Sequence, residues 1–214
     1  MYVPAAFAEI DPLEIERLVG EYPMAQLVTM TDEGLVATPL PLLYEPSAGA
    51  LGSLVGHVAR ANRQWSKSSS DVEALAIFTG PNAYISPNWY PSKAEHGKVV
   101  PTWNYETVHV RGSFVAHDDA TWTRALVTRL TERHESQFDR PWAVTDAPAD
   151  YIESMVKAIV GIEVKITSIQ AKRKLSQNRP PADVAGTIAG LDAVGGSSVA
   201  VADAMRRIEA GASE

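Results

Sequence analysis

Four short runs in this chain crowd together residue types that a β core seldom needs side by side. They are Gly56-His57-Val58-Ala59-Arg60-Ala61-Asn62-Arg63-Gln64-Trp65, Gly80-Pro81-Asn82-Ala83-Tyr84-Ile85-Ser86-Pro87-Asn88-Trp89-Tyr90, Val100-Pro101-Thr102-Trp103-Asn104-Tyr105 and Lys172-Arg173-Lys174-Leu175-Ser176-Gln177-Asn178-Arg179. Together they supply aromatic rings alongside amide, hydroxyl and cationic donors. That mixture suits a site for a flat polar ligand, with rings as walls and donors fixing its orientation. The chemistry it points to is binding. No side chain in these runs stands out as a general acid or base, so catalytic residues stay unassigned.

Common catalytic signatures are absent. The chain has no Walker loop, GxGxxG, HExxH, GxSxG or EF-hand loop, which removes the usual nucleotide, zinc and serine-hydrolase readings. Its histidines, at 57, 96, 109, 117 and 134, form no helical i, i+4 pair, so no metal site is assigned. Cysteine is missing altogether, which excludes disulfides, thiolate zinc sites and cysteine nucleophiles.

Charge narrows the partners. The formal net charge is −7 and both halves are acidic on balance, with Lys172-Arg173-Lys174 and Arg179 the one basic concentration. Phosphate neutralisation drives binding to DNA, so this balance argues against direct DNA binding. No helix-turn-helix pattern is evident, and the C-terminal helix offers only Arg206-Arg207 between Asp203 and Glu209. No apolar stretch approaches the ~20 residues that span a bilayer, and the start lacks a secretory pattern. The expectation is a soluble cytoplasmic protein with no membrane partner. With 214 residues and 45% hydrophobic content, the chain suits one core-forming domain with a helical appendage.

Elements that would position the runs follow from local pattern. Asp11-Pro12-Leu13-Glu14 predicts a helix start, with Asp11 as N-cap, Pro12 first in the helix and Glu14 completing a capping box. Strands are expected over 24–30 and 35–44, with Pro39 and Pro41 marking an edge, bulge or interruption. A third strand over 51–55 leads to a short helix over 59–67. Strands over 73–79 and 83–89 flank a Gly-Pro-Asn turn, 91–100 reads as a flexible loop, and 104–117 as a long strand. Helices over 120–135 and 149–159, a strand over 162–169, and two small-residue helices over 182–191 and 198–210 complete the chain. This pattern predicts an α+β protein that is mainly β with peripheral helices: a closed or split antiparallel barrel over 1–175 and a helical extension over 176–214.

Several motifs together resemble one family. Gly56 to Asn62, Tyr84-Ile85-Ser86-Pro87, Val100 to Tyr105, Lys174 to Arg179, the start Met1-Tyr2-Val3-Pro4 with Phe7, and Ala185-Gly186-Thr187-Ile188-Ala189-Gly190-Leu191 resemble the PaiB-type negative transcriptional regulators, over residues 1 to about 192. The tail after Asp192 resembles nothing diagnostic. What the resemblance implies is an FMN-binding split barrel, related to pyridoxine-phosphate oxidases and flavin reductases, that works as a homodimer with FMN at the interface. Thr38, His57, Arg60 and Asn62 become candidates for the phosphate end. Lys174, Gln177 and Arg179 become candidates for closing the site from the other subunit. A helix start near Ala59 would place Arg60 beside free N–H donors, and charge-assisted contacts suit a phosphate dianion. The strand Ala37-Thr38-Pro39-Leu40-Pro41 is poorer in Arg and Lys than the oxidases' clamp, which implies weakly held FMN.

Plainer roles stay open at this point. Arg60 also reads as a solvated residue, Trp89 and Trp103 as closing the barrel or filling a dimer interface, and Gln177-Asn178-Arg179 as a capped turn. Lys172-Arg173-Lys174 reads as a solvated guard at a strand edge. Three functions follow: a flavin-binding regulator, acting directly or through a metabolite its flavin senses; an FMN-dependent oxidoreductase on a small molecule; and a haem-binding or haem-degrading barrel.

Overall fold

A computed structural model describes residues 1–211. The strands are β1 (Ala8–Glu9), β2 (Met24–Thr31), β3 (Gly34–Pro41), β4 (Leu43–Glu45), β5 (Ser53–Ala59), β6 (Ala74–Ile85), β7 (Thr102–His117) and β8 (Ile159–Lys174). The helices are α1 (Pro12–Glu21), α2 (Gln64–Lys67), α3 (Ser92–His96), α4 (Ala120–Glu135), α5 (Ala149–Lys157), α6 (Pro181–Val194) and α7 (Ser198–Gly211). The sheet runs in the order β3-β2-β6-β7-β8-β5-β4, with β1 paired to β8. By contacts the chain forms two compact units. The first comprises Met1–Glu21, Thr79–Val108 and Gln170–Glu214, of which residues up to 211 are described; the second comprises Tyr22–Phe78 and His109–Ile169. The long strands β6, β7 and β8 contribute residues to both.

In the second unit, β2 buries Ala25, Leu27, Thr29 and Thr31 in strict alternation, the period-2 signature of a half-buried strand. It pairs with β3 from Met24↔Pro41 to Thr31↔Gly34, closing on a turn where Gly34 has φ 110°. β3 lies at the sheet edge, where Pro39 and Pro41 cost no ladder donor, as the prolines predict. Gly56 of β5 lies under Leu42 and Pro41; a Cβ there would sit 2.8 Å from Leu42 Cδ2. Asp119 caps α4 by accepting from the N–H groups of Thr121 and Trp122 at 2.7 and 3.0 Å. α4 packs Leu126 and Leu130 onto Val55 of β5.

In the first unit, Ala83, Ile85, Tyr90, Leu175, Val184, Leu191, Val201 and Met205 form the core that seats α6 and α7. Gly186 and Gly190, one turn apart on α6, form a notch for Trp89, whose backbone carbonyl and ring lie where side chains at those positions would be. The Ala185–Leu191 run is thus a packing surface.

Several expectations need correction. Asp11 does cap α1, its Oδ1 accepting from Leu13 N at 2.9 Å, but Glu14 completes no capping box. Glu9 Oε1 takes the Asp11 N–H instead, at 2.8 Å, because Glu14 is drawn to Arg17 and Arg173. Gly80-Pro81-Asn82 is not a turn: β6 runs straight through it, and Gly80 leaves room for Glu106, whose Cβ would lie 3.1 Å from a side chain there. Residues 92–96 form α3 within the expected loop. The strand expected over 162–169 extends to Lys174 and carries the basic run into the first unit's interior.

Candidate functional site

The second unit holds the four residues expected at a phosphate end. Thr38 of β3 and Asn62, in the turn after β5, are joined directly: Asn62 Nδ2 donates to Thr38 Oγ1 at 3.0 Å. Asn62 Oδ1 accepts from Gln64 N at 3.0 Å and starts α2. Gln64 is buried, and its Nε2 donates to Leu27 O and Thr29 Oγ1 at 3.1 and 3.0 Å. Its Oε1 is buried with no partner among the described residues, an acceptor left open. Asn62, Gln64, Val36, Arg63 and Lys67 line a cleft of about 210 Å³, with Asp32 and Glu33 also on its walls and Lys67 Nζ 3.5 Å from Asp32.

Arg60 is placed differently from the expectation. α2 begins at Gln64, not near Ala59, because pairing of β5 with β8 continues to Ala59↔Ile159 and consumes those residues as strand. Arg60 N donates to Ala158 O at 2.8 Å. Its Nε donates to Lys157 O at 2.7 Å, and Nη2 to Asp118 Oδ1 at 2.7 Å and Ile159 O at 3.3 Å. The Arg60 hydrogen bond holds the Asp118 carboxyl below its ordinary pKa. Among the described residues Nη1 makes no hydrogen bond, and the guanidinium lies 5.9 Å from the Trp65 ring centroid. His57 pairs across the sheet with Gly161, against which Trp122 rests, and its buried Nδ1 has no hydrogen-bond partner among the described residues. Burial lowers the imidazole pKa, so the ring is neutral near pH 7. Among the described residues, no hydrogen bond joins His57 or Arg60 to the Thr38–Asn62 pair.

The first unit holds the remaining three. Ser176 takes a left-handed conformation, φ 68°, and its Oγ exchanges hydrogen bonds with Asn104 at 2.9 and 3.2 Å. Around this turn both ends of the Gln177 amide are spent on local backbone. Oε1 accepts from Leu175 N at 2.7 Å, and Nε2 donates to Arg173 O at 2.5 Å. Gln177 therefore braces the turn that presents Lys174 and Arg179. Lys174 Nζ donates to Thr102 Oγ1 at 2.7 Å and Trp103 O at 2.6 Å, and the Arg179 guanidinium stacks 4.8 Å from the Tyr90 ring centroid.

The basic run is not a solvated edge guard. Lys172 and Arg173 are buried, and Arg173 lies in a charge network with Glu106 Oε1 at 2.5 Å, Glu9 Oε2 at 3.1 Å and Glu14 Oε2 at 3.0 Å. Arg17 and Arg207 flank Glu106 at 3.7 and 3.8 Å. Glu106 was missed by motif reading. The signal was there, because Asn104, Glu106 and Val108 alternate on one side of a strand, which puts a carboxylate at an inward position.

A family model described as "Putative FMN-binding domain" matches residues 1–168. The chain is 34% identical over 190 residues to the Protease synthase and sporulation protein PAI 2 of Bacillus subtilis, covering 88% of this chain and 87% of that protein. Among solved structures it is similar to the conserved hypothetical protein Rv2991 from Mycobacterium tuberculosis (TM-score 0.59, 10% identity, 84% of this chain and 94% of that one). It is also similar to the flavocytochrome Anf3 from Azotobacter vinelandii (TM-score 0.53, 13% identity, 78% and 69%). At such identities the likeness shows fold alone, and it is the α+β antiparallel split-barrel class expected from the sequence.

Proposed function

We propose that this chain, which belongs to the FMN-binding family just matched, is a PaiB-type flavoprotein that binds FMN and works as a homodimer. The observation that carries the reading is the family match over residues 1–168, supported by 34% identity to the Bacillus subtilis relative. The donor set in the second unit fits the phosphate end of such a cofactor. The Thr38 hydroxyl and the second Asn62 amide hydrogen remain available, Arg63 and Lys67 add positive charge, and Gln64 Oε1 is an orphaned acceptor suited to a sugar-alcohol hydroxyl. At about 210 Å³ the cleft lies below the roughly 300–1,000 Å³ of sites that enclose a whole small molecule, so it suits one end of the ligand. Asp32 and Glu33 balance Arg63 and Lys67, which accords with loosely held cofactor. Arg60 Nη1 and neutral His57 are further donors for the same end, and Lys174 and Arg179 remain candidates for closing the site from the other subunit.

Bound flavin supplies redox chemistry; the protein's part is to bind, orient and shield it. We assign the regulatory role to a flavin-sensed metabolite and not to direct DNA contact, because the net charge of −7 opposes phosphate binding. Absorbance and fluorescence titration of purified protein with FMN tests the cofactor: saturable quenching at one flavin per chain is expected, and none at millimolar FMN refutes it. Light scattering tests the dimer, and a monomer at micromolar concentration refutes it.

A further inference from the structure

One side of the first unit's sheet is neither core nor ordinary surface. Alternation sends Ile85, Asn104, Glu106, Arg173 and Leu175 into the packed side and leaves Tyr84, Trp103, Tyr105, Lys172 and Lys174 on the other. Tyr84 and Trp103 are 49% and 54% exposed, and their rings meet edge to face at 6.2 Å and 75°. Lys172 Nζ lies 5.3 Å from the Tyr105 ring centroid and 5.8 Å from that of Tyr2, and donates to Tyr2 O at 3.3 Å.

Among the described residues, Lys172 and Lys174 form no ion pair with a carboxylate, in a chain with seven surplus negative charges, whereas the charge of nearby Arg179 acts on the buried Asp183 carboxylate. Lys172 is only 8% exposed. A near-buried ammonium without a counter-charge is costly, and two tyrosine faces and one carbonyl offset only part of that. Burial, then the charges of Lys172 and Arg179, hold Lys174 below its ordinary pKa. An arriving anion would relieve both residues, and the exposed rings offer it a flat aromatic surface.

We propose that this face binds a free nucleotide-type anion, its flat ring against Trp103 and Tyr84 and its acid group at Lys172 and Lys174. Size decides between a small molecule and a strand. One aromatic pair and three cations serve one ring and one acid group, whereas single-stranded nucleic acid needs a longer basic track and meets the net charge of −7. The site does not rest on the FMN reading, since it uses neither Thr38 nor Asn62, although Lys174 is also a candidate there.

The test is calorimetric titration of the full chain, preloaded with saturating FMN, using adenosine 5′-monophosphate, adenosine and inorganic phosphate. The nucleotide should bind saturably, and at least about tenfold more tightly than adenosine or phosphate alone. Lys174→Gln and Trp103→Ala should each weaken it about tenfold with an unchanged melting temperature. Lys174→Gln serves in place of Lys172→Gln if the buried position fails to fold. Equal affinity for nucleotide and phosphate, or no effect of either variant, overturns the proposal. So does tighter binding of an oligonucleotide than of its mononucleotide. A nucleotide signal present in FMN-free protein but absent from the preloaded protein would give the face to the flavin instead. Shielding of Trp103 from acrylamide in ligand-free protein would give it to a second copy of the chain.

Discussion

Glu106→Gln should be among the most damaging single changes of near-constant shape in this protein. The Glu106 side chain is fully buried, and the Arg173 side chain is 6% exposed. Removing one member of a buried charge pair leaves the other unmatched, typically at about 3–5 kcal/mol. Glutamine keeps an oxygen that can accept from Arg173 Nε, and Arg173 Nη1 still meets Glu9 and Glu14 at 3.1 and 3.0 Å. The loss is therefore expected at the lower end, about 3 kcal/mol. For a chain of this length that lowers the melting temperature by roughly 6–12 °C. Urea unfolding followed by intrinsic fluorescence, with a thermal scan beside it, measures the effect. Arg17→Ala is the control: it removes a side chain 20% exposed, paired mainly with the partly exposed Glu14 and Glu21, and should cost about 1 kcal/mol or less. If Glu106→Gln unfolds within about 1 kcal/mol of wild type, the buried network does not stabilise the first unit and the reasoning fails.

The same network and Asp183 predict an acid-side loss of stability. Burial works against the charged forms of Glu14 and Asp183, but the Arg17 and Ser92 hydrogen bonds and nearby positive charges outweigh it and leave both folded pKa values depressed. Their contribution is present above the unfolded values and lost as pH falls through the lower folded ones, and Asp183→Asn should flatten that part of a denaturation–pH profile. Gly190→Ala should lower the melting temperature by driving a methyl into the Trp89 ring, and less so when combined with Trp89→Ala, which a double-mutant thermal series would show. Arg63→Ala, which removes a cation lining the cleft, should weaken FMN binding about ten- to a hundredfold and more than Arg60→Ala, whose guanidinium is held by Asp118, Lys157 O and Ile159 O; equal titration curves would place the phosphate elsewhere. In gel shifts at about 150 mM salt the protein alone should form no nanomolar, sequence-dependent DNA complex.

Local pattern was legible where local forces decide the structure. Asp119 and its apolar stripe place α4 at 120–135 without help from the rest of the chain, and the Asp32-Glu33-Gly34 turn with its flanking alternation yields the β2–β3 hairpin. What failed depended on partners distant in sequence. Gly80-Pro81-Asn82 has turn chemistry, yet the approach of Glu106 straightens it into strand. Lys172-Arg173-Lys174 has the composition of a solvated edge, yet Glu9, Glu14 and Glu106 draw Arg173 inside. The candidate site was legible as clusters but not as contacts. The Thr38–Asn62 pair joins two of the candidates, whereas the self-contained Gln177 brace follows from a single strained residue, Ser176, that no pattern marks.

The first unit is discontinuous: its members are Met1–Glu21, Thr79–Val108 and Gln170–Glu214. On a ribosome, Glu9 and Glu14 emerge about 160 residues before Arg173, which is roughly 8–32 s at ordinary rates of synthesis. Through that interval the N-terminal helix carries Leu18 and Val19 without the strand that completes its unit, while every residue of the second unit has already been made by Ile169. Synthesis order thus lets the second unit fold first and holds the first open until the last forty or so residues arrive. A ribosome stalled just before Lys172 would display a nascent chain with its acidic N-terminal helix undocked, a natural substrate for chaperones.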